Sequence, residues 1–423
     1  MQLERFSMGI GDRFGRQGAA QLAAFAMAAR AGVQVTPVWN KSFREHSIIG
    51  TDHASVRAEA DAAVKALGWT GPCRVDADHI SLKTVDQAIP SSDFFTLDVA
   101  DCTGKPAPAA DLDTFARKHT NLAGTLRIPG IAAEFTVTPD LIRQAAAKYL
   151  LAVKEAGRIY RHIESAKGAG NFIAEVSMDE TDTPQTPLEL LFILAAIADE
   201  RIPAQTIAPR FSGRFNKGVD YVGDPERFAR EFEQDVLVIA YAVREFGLPQ
   251  DLKLSIHSGS DKFAIYPAIR AALAAHNAGV HVKTAGTTWL EEVAGLAASG
   301  GEGLRVARDI YRAAHARIDG LCAPYATVID IDRAKLPQPR AVDGWRGEEF
   351  VAALRHDRSC PAYNPDLRQL IHVAFRVAAE MGERYRTALD ENHEVVGRGV
   401  TENLWKRHLG PLFAGAGKDG RPE

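Results

Sequence analysis

The sequence predicts an α/β protein of the (β/α)8 TIM-type barrel class with a helical carboxyl-terminal extension. Short apolar runs alternate with long stretches rich in Ala, Leu and Arg, which is the pattern of parallel βα units. Eight such units fit into roughly 300 residues, the size of one barrel. Nearly every short run ends at an ionisable residue, as in barrel enzymes, whose catalytic groups lie at the carboxyl ends of the strands.

Each predicted strand is a short apolar run, and most are followed by a helical stretch. The predicted strands are 6–10, 33–38, 73–77, 94–99, 171–178, 205–208, 252–257 and 279–283. The predicted helices are 17–30, 53–67, 139–165, 187–199 and 225–246, and an irregular insertion occupies 103–139. A doubly wound open sheet is the alternative fold, because strand order cannot be read from one sequence.

The pattern of the chain changes after Ile318. An extended segment at 326–331 and a Pro-rich linker, KLPQPR, precede helical runs at 348–355, 365–389 and 401–413. We therefore predict two parts: a catalytic barrel at 1–325 and a helical extension at 326–423 that packs on the barrel.

Composition and charge narrow the class of function. The chain has 423 residues, 46% hydrophobic and 25% charged, with a net charge of -4, which argues against a nucleic-acid partner. No segment reaches the roughly 18 uninterrupted apolar residues of a membrane span. The four cysteines lack CxxC spacing, so we expect a cytoplasmic protein.

The stretch 252–262, LKLSIHSGSDK, carries the strongest functional signal. Alternation with period two places Lys253, Ser255 and His257 together on one face of the strand. Glu175, His257 and His281 come from three predicted strands and would meet at the barrel mouth. Two imidazoles and a carboxylate are a common ligand set for a divalent zinc, manganese, nickel or cobalt ion.

Charged residues of both signs are predicted at the same rim. Carboxylates repel one another unless a cation neutralises them, and basic groups there suit a substrate that carries a carboxylate or a phosphate. Helix caps and internal salt bridges are the competing explanations. The acidic positions are Asp12, Asp78, Asp98, Asp101 and Asp179, and the basic ones are Arg13, Arg44, Arg210, Lys262 and Lys283.

Several long blocks of the sequence resemble the tagaturonate epimerase family. They are GIGDRFG, VDADHI, FTLDVAD, EVSMDETDTP, RFSGRFNKGVDYVGD, SIHSGSDKFAIYPA, HVKTAGT and RQLIHV. The resemblance implies a metal-dependent epimerase of barrel fold that interconverts tagaturonate and fructuronate, with a metal site at Glu175, His257 and His281. A family position that is expected to hold histidine after an acid reads Cys102 here, after Asp101.

The resemblance also implies a reaction and a set of roles. The inverted carbon is beta to the ketone, so retro-aldol cleavage and re-addition would invert it. Proton transfer would fall to Asp78, Asp101 and Asp179. The sugar acid would be bound by Asp12, Arg13, Ser42, Arg44, His79, Arg210, Lys262 and Lys283.

Other functions remain open from the sequence. They are the same chemistry on a different ketose or keto acid, metal-dependent hydrolysis on the same barrel, and sugar-acid binding without catalysis. Transient oxidation by a nicotinamide is disfavoured, because GIGDRFG has the wrong spacing for a dinucleotide loop. The state of assembly is open as well, and a homo-oligomer is allowed.

Overall fold

A closed barrel of eight parallel strands forms the centre of the molecule. The computed structural model describes residues 1–179, 181, 183–258, 260–284 and 286–414. Two short strands, β5 and β6, form a separate antiparallel pair. In chain order the strands are β1 Phe6–Ile10, β2 Thr36–Ser42, β3 Arg74–Ile80, β4 Phe94–Asp98, β5 Gly124–Leu126, β6 Phe135–Val137, β7 Ile173–Ser177, β8 Thr206–Ala208, β9 Lys253–His257 and β10 Val280–Lys283.

The order of strands around the barrel is β1-β10-β9-β8-β7-β4-β3-β2, and β2 closes it onto β1. All eight pairings are parallel. The predicted barrel is confirmed and the doubly wound alternative is wrong. Strand β2 begins and ends later than the predicted 33–38, and β3 continues past the predicted end at residue 77.

Helices cover the outside of the barrel and form the carboxyl-terminal part of the chain. In the described ranges, no helix is both long and apolar enough to cross a membrane. The helices are α1 Gly18–Arg30, α2 Phe43–Ile49, α3 His53–Leu67, α4 Val85–Ala88, α5 Ala109–Lys118, α6 Pro139–Lys167, α7 Pro187–Asp199, α8 Pro225–Phe246, α9 Tyr266–Ala275, α10 Thr287–Ser299, α11 Gly301–Ala316, α12 Ile318–Cys322, α13 Pro339–Asp343, α14 Gly347–Leu354, α15 Pro365–Val373, α16 Phe375–Met381, α17 Glu383–Glu391, α18 His393–Asn403 and α19 Gly410–Phe413.

The barrel interior changes from apolar to charged along its axis. Leu3, Val38, Phe94 and Ile173 form a small apolar cluster that is separate from the main core. Phe94 and Ile173 begin their strands, so this cluster fills the amino-terminal end. Because side chains alternate, the next inward residues on β4 and β7 are Thr96 and Glu175, both fully buried. The carboxyl-terminal half of the interior is therefore polar, whereas apolar side chains usually fill a barrel.

The chain after residue 326 differs in detail from the prediction. The segment 326–331 forms no strand, and the helix predicted at 365–389 is broken into α15, α16 and the start of α17. The break between α16 and α17 falls at Gly382, whose φ of +61° is not helical. Few residues other than glycine adopt this conformation.

The helices after 326 share one apolar core with the barrel, to which Leu367, Phe375 and Val396 contribute. The boundary at 325/326 stays a prediction, and residues 415–423 of the predicted extension lie outside the described residues.

Candidate active site at the barrel mouth

Lys283 occupies the centre of a buried cluster at the carboxyl ends of the strands. Its Nζ lies 2.8 Å from Asp76 Oδ2, 2.8 Å from Asp78 Oδ1 and 2.9 Å from Glu175 Oε1. Nζ also donates to Thr96 Oγ1 at 2.5 Å. Burial acts to lower the pKa of Lys283, but the three carboxylates raise it well above its ordinary value. Lys283 is therefore a fixed cation among three acids.

Two acids of β3 differ in their affinity for a proton. Burial raises the pKa of Asp76 to about 7, although Lys283 acts to lower it. Burial acts on Asp78 in the same direction, but Lys283, His79 and His257 lower the pKa of Asp78 to about 2. Asp78 is accordingly a carboxylate at neutral pH, whereas Asp76 binds a proton more readily.

His257, the last residue of β9, lies between two acids. Its Nε2 is 2.8 Å from Glu175 Oε1 and its Nδ1 is 3.1 Å from Asp179 Oδ2. Burial acts to lower the pKa of His257, but Asp179 and Glu175 raise it to about 9. The Ser177 hydroxyl donates to the same Asp179, which fixes that carboxylate beside the ring.

His79 has an uncommon backbone conformation that turns its ring toward His257. The pairing of β3 with β4 shifts register between Ala77 and Ile80, and His79 has φ +52°. Bulges and left-handed backbone at non-glycine residues are enriched at functional sites. The two imidazole rings meet edge to face, with centroids 5.2 Å apart.

Acids also surround His79. Its Nδ1 lies 3.6 Å from Asp98 Oδ2, and its Nε2 lies 3.9 Å from Asp78 Oδ1. Burial acts to lower the pKa of His79, but Asp78, Asp98 and Asp179 raise it to about 10. The negative surroundings of this ring therefore favour a cation, either a proton or a metal ion.

His281 lies deeper in the barrel than His79 and His257. Its Nδ1 is 2.9 Å from Ser7 Oγ of β1, and burial lowers its pKa to about 3. Its Nε2 has no hydrogen-bond partner among the described residues. The structure therefore brings Glu175 and His257 of the predicted metal set into contact, while His281 forms its hydrogen bond on another side.

Among the residues that the structure describes, His79, Asp179 and His257 form a group that is geometrically suited to a metal. One ligand atom from each lies within 4.8 Å of the others. Nδ1 of both His79 and His257 lacks a hydrogen-bond partner with good geometry in the described part of the chain. Buried polar atoms are usually satisfied, so these two nitrogens, each beside a carboxylate, fit a divalent cation.

The charges of the cluster support the same conclusion. Lys283 contacts three of the acids of this cluster, and the imidazoles of His79 and His257 contact the other two. The acids are Asp76, Asp78, Asp98, Glu175 and Asp179. Even when His79 and His257 are protonated, these acids outnumber the cationic groups of the cluster, which favours further positive charge.

Three of the residues predicted to bind substrate have structural partners in the segments around the starts of α1 and α2. Asp12 is buried and accepts hydrogen bonds from four backbone N–H groups of residues 14–17, ahead of α1. Arg13 pairs with Glu45 at 3.0 Å. Ser42 caps α2 in a capping box with the same glutamate. Their contact with substrate stays a prediction.

Four other predicted residues lie on different parts of the rim. The Lys262 ammonium is buried and donates to the carbonyls of residues 216 and 219, and burial lowers its pKa to about 7. The Arg210 guanidinium donates to the carbonyl of residue 181. Arg44 and Asp101 are exposed. None of the four contacts the Lys283 cluster through a hydrogen bond or ion pair that the described structure contains.

The sequence argument missed Asp76 and Thr96. The signal for Asp76 was present, because it lies two residues before Asp78 and so faces the same side of β3. Thr96 carries no charge, yet its hydroxyl contacts Asp76, Glu175 and Lys283. Only the register between β4 and its neighbours reveals it.

A closed parallel barrel with acids, imidazoles and a lysine converging at the carboxyl ends of its strands defines a (β/α)8-barrel enzyme. Residues 1–396 match the sequence profile described as tagaturonate epimerase. The chain therefore belongs to the tagaturonate epimerase family and is an isomerase, as the resemblance predicted.

Individual relatives agree with this assignment. A tagaturonate/fructuronate epimerase from Thermotoga maritima is 29% identical over 421 residues, covering 96% of this chain and 80% of the relative. A glycerol-bound crystal structure of a fructuronate-tagaturonate epimerase from Cohnella laeviribosi superposes with a TM-score of 0.79 at 23% identity, covering 97% of this chain and 82% of the other. The native form of that enzyme gives 0.76 at 22% identity, with the same coverage. The two crystal structures support the fold.

Proposed function

We propose that this chain interconverts D-tagaturonate and D-fructuronate with the help of a divalent metal ion, by retro-aldol cleavage and re-addition. Membership of the family supports the substrate pair. The observation that carries the proposal is the buried cluster around Lys283 and His257, which joins acids, a lysine and imidazoles at the mouth of the barrel.

The chemistry follows from the positions of the functional groups in the substrate. The hydrogen on the inverted carbon is beta to the ketone and is not acidic, so enolisation cannot invert that carbon. Removal of the proton from its hydroxyl group allows the adjacent carbon–carbon bond to break, giving an aldehyde and an enediolate. Rotation of the aldehyde and reformation of the bond gives the epimer.

Asp78 is our first candidate for the group that takes the hydroxyl proton. It is buried at the mouth and ionised at neutral pH, and Lys283 fixes its carboxylate at 2.8 Å. Asp179 is the second candidate, on the other side of His257. Asp101 lies on an exposed turn and would need to approach the substrate from outside the cluster.

The metal would be zinc, manganese, nickel or cobalt, held by His257 with partners from the mouth. The set predicted from the sequence adds Glu175 and His281, and the geometry supports adding His79 and Asp179. A bound divalent ion supplies positive charge that stabilises an enediolate oxygen. Lys283 would keep the carboxylates of Asp78 and Glu175 in place while the substrate binds.

Proton NMR of tagaturonate and fructuronate tests the proposal directly. The purified protein is stripped with a chelator and reconstituted with zinc, manganese, nickel or cobalt. We expect interconversion only with metal, and loss of both metal and activity in His257→Ala. His276→Ala is the matched control. This partly buried histidine precedes β10, at the opposite end of the barrel, and pairs with Glu233.

Two further readouts separate the alternatives. A product of unchanged mass distinguishes epimerisation from hydrolysis. In D2O, retro-aldol chemistry retains the hydrogen on the inverted carbon, so deuterium at that carbon would rule the route out. The homo-oligomer and the cytoplasmic location stay predictions from the sequence.

A further inference from the structure

His372 of α15 is a buried imidazole for which the proposed reaction has no role so far. Its exposed fraction is 3%, and its Nε2 has no hydrogen-bond partner among the described residues. Buried polar atoms are nearly always satisfied, and each exception calls for an explanation such as an absent ligand.

Helix α15 contacts chain segments that follow several of the barrel strands. The Arg13 guanidinium, after β1, donates to the His372 carbonyl at 3.1 Å. The Trp289 indole, in the helix after β10, donates to the carbonyl of Ile371 at 2.8 Å. Gly218, in the loop after β8, approaches His372 so closely that an added Cβ would lie 3.3 Å from the histidine Cβ. These contacts place the backbone of His372 beside the segments that follow β1, β8 and β10.

The charges that act on the His372 ring are positive. Burial lowers its pKa well below the ordinary value, and Arg13, Lys217, Arg368 and Lys262 lower it further. Arg13 and Arg368 keep carboxylate partners, Glu45 and Asp261, but the ring still lies in cationic surroundings. A neutral imidazole there can donate one N–H bond, and the field favours an anion as the acceptor.

We propose that the Nε2–H group of His372 binds the carboxylate of the sugar acid. The inference rests on the proposed function, because it assumes that a uronate occupies the mouth. The ketone and the hydroxyl of the inverted carbon then face the Lys283 cluster, while the carboxylate lies under α15. His372 is a substrate-binding residue, and it makes the enzyme select acids over neutral sugars.

Calorimetric titration with D-galactonate tests the proposal without turnover, since this acid has no ketone. Galactitol, which lacks the carboxylate, serves as the neutral probe. In His372→Leu we expect the affinity for D-galactonate to fall by about 10–100-fold, the usual effect of losing a hydrogen bond to a charged group. The affinity for galactitol should stay within about 2-fold, and KM for tagaturonate should rise more than kcat falls.

Two further variants control for position and for folding. His276→Leu makes the same change at the other end of the barrel and should leave both affinities unchanged. His372→Gln retains an N–H donor near the position of Nε2 and should restore part of the selectivity for the acid. If His372→Leu does not fold, as judged by thermal unfolding, His372→Met provides the apolar substitution.

Two results would overturn the assignment: unchanged D-galactonate affinity in the folded apolar variant, or an equal loss of affinity for galactitol. The proposed function fails separately. A wild-type protein that binds D-galactonate in a His372-dependent manner but does not interconvert the two uronates would contradict the epimerase proposal alone.

Discussion

Two of the buried charged clusters in the described part of the chain differ in their balance of acids and cations. At the mouth, three acids share one lysine, Lys283, and two more acids, Asp98 and Asp179, face imidazoles. Beneath the carboxyl-terminal helices, the single carboxylate of Asp261 is surrounded by donors: Arg368 at 2.7 Å, His356 at 3.1 Å and Thr287 at 3.3 Å, with His408 Nε2 also at 3.3 Å.

This difference indicates that the Asp261 cluster attaches the carboxyl-terminal helices to the barrel and that the mouth cluster takes part in the reaction. Arg368, His356 and His408 all come from the chain after residue 326, so Asp261 joins those helices to the loop after β9. Its acceptor oxygens are occupied, which suits a structural joint. The mouth cluster contains more acids than cationic groups, and it therefore suits a site completed by a metal ion and a substrate.

The largest effect is expected from Lys283→Met, which removes the cation from the mouth cluster. Three buried carboxylates then lack their partner, so the free energy of unfolding should fall by about 3–5 kcal/mol at neutral pH. We expect kcat/KM to drop by at least about 100-fold, since Asp78 and Glu175 are no longer held in place. Urea unfolding and NMR assays measure the two effects.

The dependence on pH sharpens this test. Without the lysine, the pKa values of the acids rise in the folded state above their unfolded values, so the folded state binds more protons and its stability falls as pH rises. Lys283→Met should therefore be closest to the wild type at about pH 5 and furthest from it at about pH 8. Lys253→Met is the matched control, because this buried lysine of β9 donates to the carbonyls of residues 3 and 4. An equal loss of activity in the control would contradict a special role for Lys283.

Asp261→Asn should affect stability and spare catalysis. Removing the charge leaves Arg368 without its carboxylate, at an expected loss of about 3 kcal/mol. The pKa of Asp261 is well below its ordinary value: burial acts to raise it, but Arg368, His356 and His408 lower it. The stabilisation is thus present above the unfolded pKa, about 4, and is lost as pH falls toward the folded pKa.

Urea unfolding from pH 7 to pH 3 provides the measurement. The difference between the wild type and Asp261→Asn should be constant down to about pH 5 and shrink below about pH 4. In the folded fraction, kcat/KM should stay within about 5-fold of the wild type, a change of about 1 kcal/mol. A loss of activity as large as that of Lys283→Met would remove the distinction between the clusters.

His79→Gly distinguishes two roles of His79, as a candidate metal ligand and as a residue with a strained backbone. Glycine adopts φ +52° freely, and the relief of about 1 kcal/mol should offset much of the lost packing. Metal affinity should nevertheless fall by about 10-fold or more, measured by competition with a chromogenic chelator. Asn277→Gly is the control: Asn277 has φ +50°, lies ahead of β10 at the other end of the barrel, and should leave metal affinity unchanged.

Local sequence patterns explain why the fold and part of the site were predictable. The predicted bounds of α3, α7 and α8 match the structure, because caps such as Asp52, Thr186 and Asp224 define where these helices begin. Alternation on β9 correctly placed Lys253 and His257 on one face. Deviations from the regular pattern were not predictable: a register shift places His79 beside His257, and the contacts of His372 depend on how α15 packs against the segments that follow the barrel strands.

The smallest effect is expected at Cys102, where the sequence departs from the family pattern. Its thiol pKa is raised by burial and by Glu155, and Lys105 and Arg158 lower it; two of these residues belong to α6. Cys102 also packs against the apolar core. The side chain therefore faces α6 on the outside of the barrel, which makes it a poor determinant of substrate.

Cys102→Ala should change kcat/KM for tagaturonate and for fructuronate by no more than about 2-fold, the range of substitutions that remove few contacts. Cys322→Ala is the matched control, since Cys322 is also a partly buried free thiol beside the apolar core. If Cys102→Ala alone altered the ratio of the two substrates, the turn at residues 100–102 would have to reach the substrate. Recognition would then extend from the interior of the barrel to its outer rim.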